Sequence, residues 1–227
     1  MAAQYILRRQ TLEDLESTGQ VAKAAFVMSP LTGAIWHRAT EEEKRTLMDD
    51  WFLGRSRVEF DTPGIHRLVV VCRDDESGSE EIAGVACWRQ PLTEVDPGAG
   101  KTEEQKAAET AAQRATWPAC VDTSVMDANG AELGALVERG LGGEAKAMWT
   151  ATVVAVHPKH QRKGVATTLL RWGLAEADKT GTDTFIIASD VGRKAYMSVG
   201  FEDVCELKGI IGEAILMIRK SPVRKDT

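Results

Sequence analysis

Residues 153–170 read VVAVHPKHQRKGVATTLL, and this stretch decides how the rest of the chain is interpreted. It joins a β-branched strand, a turn with a proline, a basic loop with one glycine, and the first turns of a helix. The first N–H groups of a helix lack partners within the helix, and the helix dipole places about half a positive charge at the same end. Such a loop suits a phosphate or pyrophosphate. A glycine and two basic residues also fit a plain strand-to-helix turn, so both interpretations stay open on these residues alone.

The sequence on either side of this stretch predicts strands and helices. Before it, we expect strands at 4–9, 66–73 and 81–89, helices at 12–26 and 41–53, and a polar connection at 74–80. The string MWTATVVAV at 148–156 is almost continuously apolar, as in a strand inside a sheet. After it, we expect helices at 165–179 and 192–200 and strands at 183–189, 203–207 and 214–220. This order predicts an α/β fold around a mixed sheet.

Residues 92–148 interrupt the pattern. They start with the turn-rich TEVDPGAG, continue as an Ala-rich polar helix candidate, and end with several glycines around one weak helix, AELGALVER. We interpret residues 1–227 as one domain with a long insertion at 92–148 that is either mobile or covers a substrate.

Composition and charge exclude several classes of protein. The chain has 227 residues and a net charge of −6, which argues against a nucleic-acid binder with a broad basic face. No apolar run approaches the roughly 18 residues that span a bilayer, and the first residues lack the apolar core of a secretory signal. The four cysteines are scattered, as expected for free thiols in a reducing compartment. We therefore predict a cytoplasmic protein that binds neither membrane nor nucleic acid.

Two groups of side chains invite other interpretations. His157 and His160 are three residues apart, but no cysteine or carboxylate has supporting spacing, so we expect no metal and an exposed histidine pair along the loop. The tryptophans at 36, 51 and 88 either border a substrate cleft or pack in the core.

The core of the loop is the six residues from Gln161 to Ala166. Known nucleotide-binding motifs do not account for it. No GxxxxGK[ST] string is present, so a P-loop is unsupported. The string GLGGEA at 140–145 half-matches a dinucleotide fingerprint, yet it precedes a strand instead of following one. Gly164 permits close backbone approach or a positive φ, and Ala166 is too small to obstruct a ligand.

The whole string V-x-V-x-P-x-x-Q-R-x-G-x-A-x-x-L-L resembles the acetyl-CoA motif of the GNAT family of N-acetyltransferases, whose core is Q/R-x-x-G-x-G/A. A second string, Tyr196-Met197-Ser198-Val199-Gly200-Phe201, resembles that family's later Y-x-x-x-G-F motif. These motifs cover about residues 149–201, and the remainder agrees only in the order of its elements. The resemblance is closest to microbial, especially fungal, single-domain members.

The resemblance implies the GNAT fold, a mixed central sheet with helices on both faces and a splayed strand pair, here 149–156 and 183–189. It implies acetyl-CoA as acetyl donor, with the pantetheine arm along one strand and the pyrophosphate on the loop. The cofactor-binding residues carried over are Val154, Ala155, Val156, Gln161, Arg162, Lys163, Gly164, Val165, Ala166, Thr167, Ser189 and Arg193.

Tyr196 is the catalytic residue that the resemblance implies, as the general acid for the departing CoA thiolate. Taken alone, a tyrosine on a short helix is more often a core aromatic. Many family members use a carboxylate on or near the cofactor strand as base, but residues 149–156 contain none. Asp190, Glu144 and Glu202 are nearby alternatives, so the base stays unassigned.

The sequence therefore predicts an acetyl-CoA-dependent N-acetyltransferase that moves an acetyl group to a primary amine of a small molecule or peptide, by direct attack in a ternary complex. Two alternatives remain: a non-catalytic acyl-CoA sensor, and an adaptor that uses the 92–148 insertion. Neither the acceptor nor the oligomeric state can be read from these residues.

Overall fold

The strands form one sheet. The structure is a computed structural model that describes residues 3–58, 60–74, 78–209 and 212–223. Within these ranges the strands are β1 (Gln4–Arg9), β2 (Ile65–Arg73), β3 (Glu80–Arg89), β4 (Trp149–Val156), β5 (Thr184–Ser189), β6 (Glu202–Gly209) and β7 (Gly212–Arg219). Their order in the sheet is β1-β2-β3-β4-β5-β7-β6. The polar connection predicted at 74–80 lies partly outside the described residues, at 75–77.

The described helices are α1 (Leu15–Phe26), α2 (Pro30–Ile35), α3 (Glu41–Val58), α4 (Glu103–Arg114), α5 (Thr123–Leu141), α6 (Val165–Lys179) and α7 (Asp190–Met197). The predicted α/β class and the helix at 165–179 are confirmed. The insertion 92–148 holds α4 and α5 and is more helical than its glycines suggest. α2 was not predicted, although Ser29 caps it and Pro30 opens it.

Helices cover both faces of the sheet because side chains alternate along each strand. On β2, Leu68 and Val70 pack with Leu169 and Leu170 of α6. The intervening Val69 and Val71 pack with Val21 of α1 on the opposite face. A further cluster joins Leu136 of α5 to strands β5 and β7 on the face that α5 covers. α1, α3 and α5 therefore lie away from α6, as a mixed sheet with two covered faces requires.

One pair of strands separates within the sheet. β4 and β5 run parallel, but they pair only at Trp149 with Thr184 and at Thr150 with Phe185. From Ala151 onward β4 keeps only its antiparallel partner β3, with a bulge at Thr152. The predicted splayed strand pair is thus confirmed, with the unpaired part toward the carboxyl ends of β4 and β5.

α6 packs against the sheet at very short range. Trp88 is fully buried, and its indole N–H donates to the carbonyl of Leu169 at 3.2 Å. Gly173 lies over the same ring, so a Cβ at this position would overlap the indole, with Cζ2 only 2.5 Å away. Trp88 is therefore a core residue and does not border a cleft.

We expect Gly173→Ala to destabilise the fold by about 1–3 kcal/mol, because a packed ring and a helix backbone must move apart. Gly130→Ala on α5 is the matched control. A Cβ at that position meets nothing within 4 Å, so improved helix propensity should leave stability equal or slightly higher. Urea unfolding of both variants checks this difference, and equal stabilities would contradict the packing described here.

Within the described residues, no helix is both long and apolar enough to cross a membrane.

Candidate active site

The loop between β4 and α6 has an unusual backbone. Gly164 is the N-cap of α6 with a left-handed φ of 81°, and no side chain caps the helix. Arg162 is also left-handed, with φ 62°. For a non-glycine residue this conformation costs about 1–2 kcal/mol. Strain of this kind is retained where the surrounding structure imposes it, often at sites that bind a ligand.

This conformation leaves a row of N–H groups without protein partners. The first hydrogen bond into α6 runs from the N–H of Thr168 to the carbonyl of Gly164. Among the described residues, no acceptor binds the backbone N–H groups from Arg162 to Thr167. The loop from Gln161 to Gly164 is exposed, and Arg162 and Lys163 add positive charge. The arrangement fits a diphosphate, which needs several N–H donors at a positive helix end.

Gly84 of β3 allows the first turn of α6 to pack close to the sheet. A Cβ at Gly84 would lie 2.6 Å from Cγ1 of Val165 and 3.0 Å from the carbonyl oxygen of Ala155. Val165 is buried as a result. The glycine therefore brings the helix N-terminus close to the end of β4, a role that sequence reasoning missed.

A buried network anchors the turn before the loop. His160 is only 3% exposed, and its Nδ1 lies 3.0 Å from the hydroxyl of Tyr5. Its Nε2 lies 2.9 Å from a carboxylate oxygen of Glu81, and Lys159 pairs with the same carboxylate. The prediction of an exposed histidine pair was wrong for His160, because these partners come from β1 and β3. No local sequence signal marks them.

The network favours neutral His160 beside charged Glu81. Burial lowers the pKa of His160, and hydrogen bonding to Lys159 lowers the pKa of Glu81. The thiol of Cys72 joins Glu81 and His160 within 4.8 Å, a spacing that could hold a metal ion. The positive charge of Lys159, which pairs with the Glu81 carboxylate, would repel a cation at this position. The absence of a metal stays a prediction.

The gap between β4 and β5 begins where their pairing ends. Val154, Ala155 and Val156 lie on the unpaired part of β4, so the side of that strand toward β5 lacks a neighbouring ladder. At the carboxyl end of β4, the side chain of Gln161 donates to the carbonyl of Val156 at 3.3 Å. An extended ligand can use this free strand edge as a further strand would.

Tyr196 lies on α7, and its ring packs with the α6-side core and edge-on to Phe201 at 6.1 Å. Its hydroxyl has no hydrogen-bond partner among the described residues, and burial raises the pKa of Tyr196 to about 12. A Cβ at Gly192 would lie 2.9 Å from the Tyr196 ring, so this glycine makes room for it. The phenol therefore stays protonated and keeps a donor to offer.

The sequence of residues 33–201, more than half of the chain, matches the Acetyltransferase (GNAT) family. The protein belongs to the GNAT family. A Stachybotrys chartarum protein named acetyltransferase is 30% identical over 148 residues, which are 62% of this chain and 58% of that protein. The match thus spans less than two thirds of the relative's length.

Solved structures share the GNAT fold at low sequence identity. A Corynebacterium glutamicum protein described as histone acetyltransferase HPA2 and related acetyltransferase is 18% identical, with a TM-score of 0.57 over 100% of both chains. The PaiA N-acetyltransferase from Thermoplasma acidophilum, solved in complex with coenzyme A, is 13% identical with a TM-score of 0.50. That alignment covers 96% of this chain and 99% of the other. These likenesses show the fold alone.

Besides Gln161, two more of the predicted cofactor residues in this GNAT chain have side chains with protein partners. Ser189 caps α7 by accepting from the N–H of Gly192 at 3.3 Å. Arg193 binds the carboxylate of Asp203 on β6 through its Nε at 2.9 Å. The Ser189 hydroxyl can still bind a cofactor, because it can form further hydrogen bonds. Arg193 would first have to break its ion pair with Asp203.

The candidate bases of this GNAT chain lie apart from one another. Glu202 is the first residue of β6, and both Glu202 and Phe185 of β5 are paired with Ile218 of β7. Glu202 is therefore at the height of the sheet where β4 and β5 still pair. Glu144 precedes the amino end of β4. Both acids are therefore at the end of the sheet opposite the open gap. Asp190, at the carboxyl end of β5, is the remaining candidate and is exposed.

The side of this GNAT fold opposite α6 carries an aromatic cluster. Trp36, Trp51 and Trp117 meet edge-on, with ring centroids 5.7 and 6.1 Å apart for successive pairs. A cavity of about 600 Å³ opens beside Trp36 between α1, α2 and α3. Trp51 packs in the core, while Trp36 is both buried and in the wall of that cavity.

Proposed function

We propose that the protein is an acetyl-CoA-dependent N-acetyltransferase that acetylates a primary amine of a small molecule or peptide by direct attack in a ternary complex. The observation that carries this proposal is the row of free N–H groups from Arg162 to Thr167 at the open end of the gap between β4 and β5. A diphosphate cradle and a free strand edge adjoin there, which fits the two parts of CoA.

The loop binds and orients the donor in this proposal. The N–H groups of residues 162–167 hold the pyrophosphate, and Arg162 and Lys163 neutralise its charge. The free edge at Val154, Ala155 and Val156 pairs with the amide groups of the pantetheine arm. Ser189 remains a proposed contact, and Arg193 becomes one only when released from Asp203. Binding at both ends fixes the thioester in the gap.

Acetyl-CoA supplies an acetyl group as a thioester, whose carbonyl carbon accepts the amine nitrogen while the C–S bond breaks. Tyr196 would stabilise the leaving sulfur by donating a hydrogen bond. The pKa of Tyr196 is about 12, roughly three to four units above that of an ordinary thiol. Complete transfer of its proton is therefore uphill, and we propose that hydrogen-bond donation dominates.

The proton of the attacking amine has no assigned acceptor. Since Glu144 and Glu202 lie at the opposite end of the sheet, we propose that the amine enters neutral or loses an ammonium proton to water near Asp190. After the attack, the nitrogen gives one N–H proton to the departing thiolate, directly or through water, as the amide forms. Neither route needs a carboxylate on β4.

We also propose a cytoplasmic location. All four cysteines lie in the described part of the chain, none of them forms a disulfide there, and two are buried. Free thiols are usual in a reducing compartment.

An amine panel tests the proposed activity. The protein is incubated with acetyl-CoA and phenethylamine, spermidine or a blocked lysine amide, and acetylated product and free CoA are measured by mass spectrometry. We expect at least one amine to give both in equal amounts. Calorimetric binding of acetyl-CoA without any product would favour the sensor alternative, and loss of binding as well would reject both.

A further inference from the structure

Asn129, on the insertion helix α5, is buried without a hydrogen-bond partner. It is 9% exposed, and its amide oxygen is one of the buried polar atoms that lack a partner. Its amide nitrogen donates no hydrogen bond to any of the described residues either. Buried amides are nearly always paired, so this side chain calls for a ligand or a specific role.

The contacts of α5 place Asn129 relative to the sheet. Leu136 accepts a weak hydrogen bond from the thiol of Cys205, and the side chain of Glu132 lies next to Gly209. The earlier residue of α5 thus meets the later residue of β6, so the helix and the strand run antiparallel. Because β6 pairs antiparallel with β7, and β7 with β5, β5 and β6 point the same way. The amino-terminal half of α5 therefore lies toward the carboxyl end of β5. Asn129, one turn before Glu132, is at that end.

The same helix joins two apolar clusters. Val125 and Met126 pack with the aromatic cluster of α2 and α3, on the β4 side. Leu133 and Leu136 pack with the cluster under β5 and β7. Asn129 shares a helix face with Met126 and Leu133, since three and four residues separate them. It thus lies midway between the clusters, where α5 passes from the β4 side to the β5 side.

We propose that the Asn129 side chain is an acceptor-binding group, whose amide oxygen accepts an N–H hydrogen bond from the primary amine to be acetylated. The inference rests on the proposed function. The phosphate loop leads into α6, so we place the acceptor on the opposite face of the sheet, where α5 packs on β6 and β7. A neutral amide suits this task because it orients an amine without holding a proton on it, so the nitrogen lone pair stays available.

Kinetics test the proposal first. Asn129→Ala should raise KM for the amine about tenfold and leave acetyl-CoA affinity unchanged. Asn129→Asp should favour the ammonium form, so the acidic limb of its kcat/KM profile should move to higher pH. Leu133→Ala, one turn along the same face, is the matched control and should lower Tm without changing KM. A lower Tm in Asn129→Ala with unchanged KM would overturn the proposal.

Nuclear magnetic resonance separates this proposal from the activity itself. Asn129 is the only asparagine in the sequence, so [¹⁵N]asparagine labelling gives one side-chain amide pair. With CoA bound, phenethylamine, spermidine or the blocked lysine amide is added. A side-chain shift that saturates with one amine supports the site even if no product forms. No shift with any of the three amines would reject it, whatever the result of the activity assay.

Discussion

Gly164→Glu is expected to abolish acetyl-CoA binding, with a loss of at least about 100-fold. The residue is left-handed at φ 81°, so any side chain strains the loop. A Cβ there meets nothing within 4 Å, so the glutamate fits sterically but brings its carboxylate to the N–H groups proposed for the pyrophosphate. Like charges at the positive end of a helix compete for the same donors. Calorimetric titration with acetyl-CoA measures the loss.

Gly100→Glu is the matched control for that variant. Gly100 is also left-handed, at φ 77°, with no atom within 4 Å of an added Cβ. It lies in the insertion and is not part of the loop from Gln161 to Gly164. Both variants should lose similar stability from backbone strain, and only Gly164→Glu should lose the donor. Retained affinity in Gly164→Glu would contradict the assignment of the loop.

Tyr196→Phe is expected to lower turnover about 100-fold while changing acetyl-CoA affinity less than threefold. The ring still packs beside Phe201, so the variant removes only the unpaired hydroxyl. In other enzymes, removal of one hydrogen-bond donor that stabilises developing negative charge lowers kcat by a factor of this size. Turnover at saturating amine and donor measures it, and unchanged turnover would reject the role.

The pH profile refines the role of Tyr196. With a pKa of about 12, its hydroxyl keeps its proton up to about pH 11, so no basic limb below that pH should come from this residue. Tyr5, the other tyrosine, supplies the control. Tyr5→Phe loses the bond to His160 and should affect donor KM more than turnover. A basic limb near neutral pH that disappears in Tyr196→Phe would contradict the high pKa.

The sequence predicted most accurately those elements whose causes are local. The strand at 149–156 and the helix at 165–179 follow from apolar runs and periodicity, and both bounds agree closely with β4 and α6. α2 had a local signal in Ser29 and Pro30 that was not used. α5 was underestimated because Asn129 and its glycines disfavour a helix, whereas packing on two clusters stabilises it.

The features of the site also differ in whether their causes are local in the sequence. The bend at Gly164 could be predicted from the motif. The burial of His160 could not, because Tyr5 is 155 residues away and Glu81 belongs to another strand. The unpaired state of Asn129 is likewise a property of the assembled fold. Residue type shows that an amide can bind something, but only the tertiary structure shows that no neighbour satisfies it.

The separation of β4 from β5 creates an unpaired strand edge away from β1 and β6, the two outer strands of the sheet. An unpaired strand at the rim of a sheet is a template for another protein chain. Here the unpaired side of β4 lies inside the sheet, walled by β5 and covered by helices on both faces. A second polypeptide strand would need to enter between two strands already joined at one end. This position therefore favours a single narrow, extended molecule over a strand from a second copy of the protein.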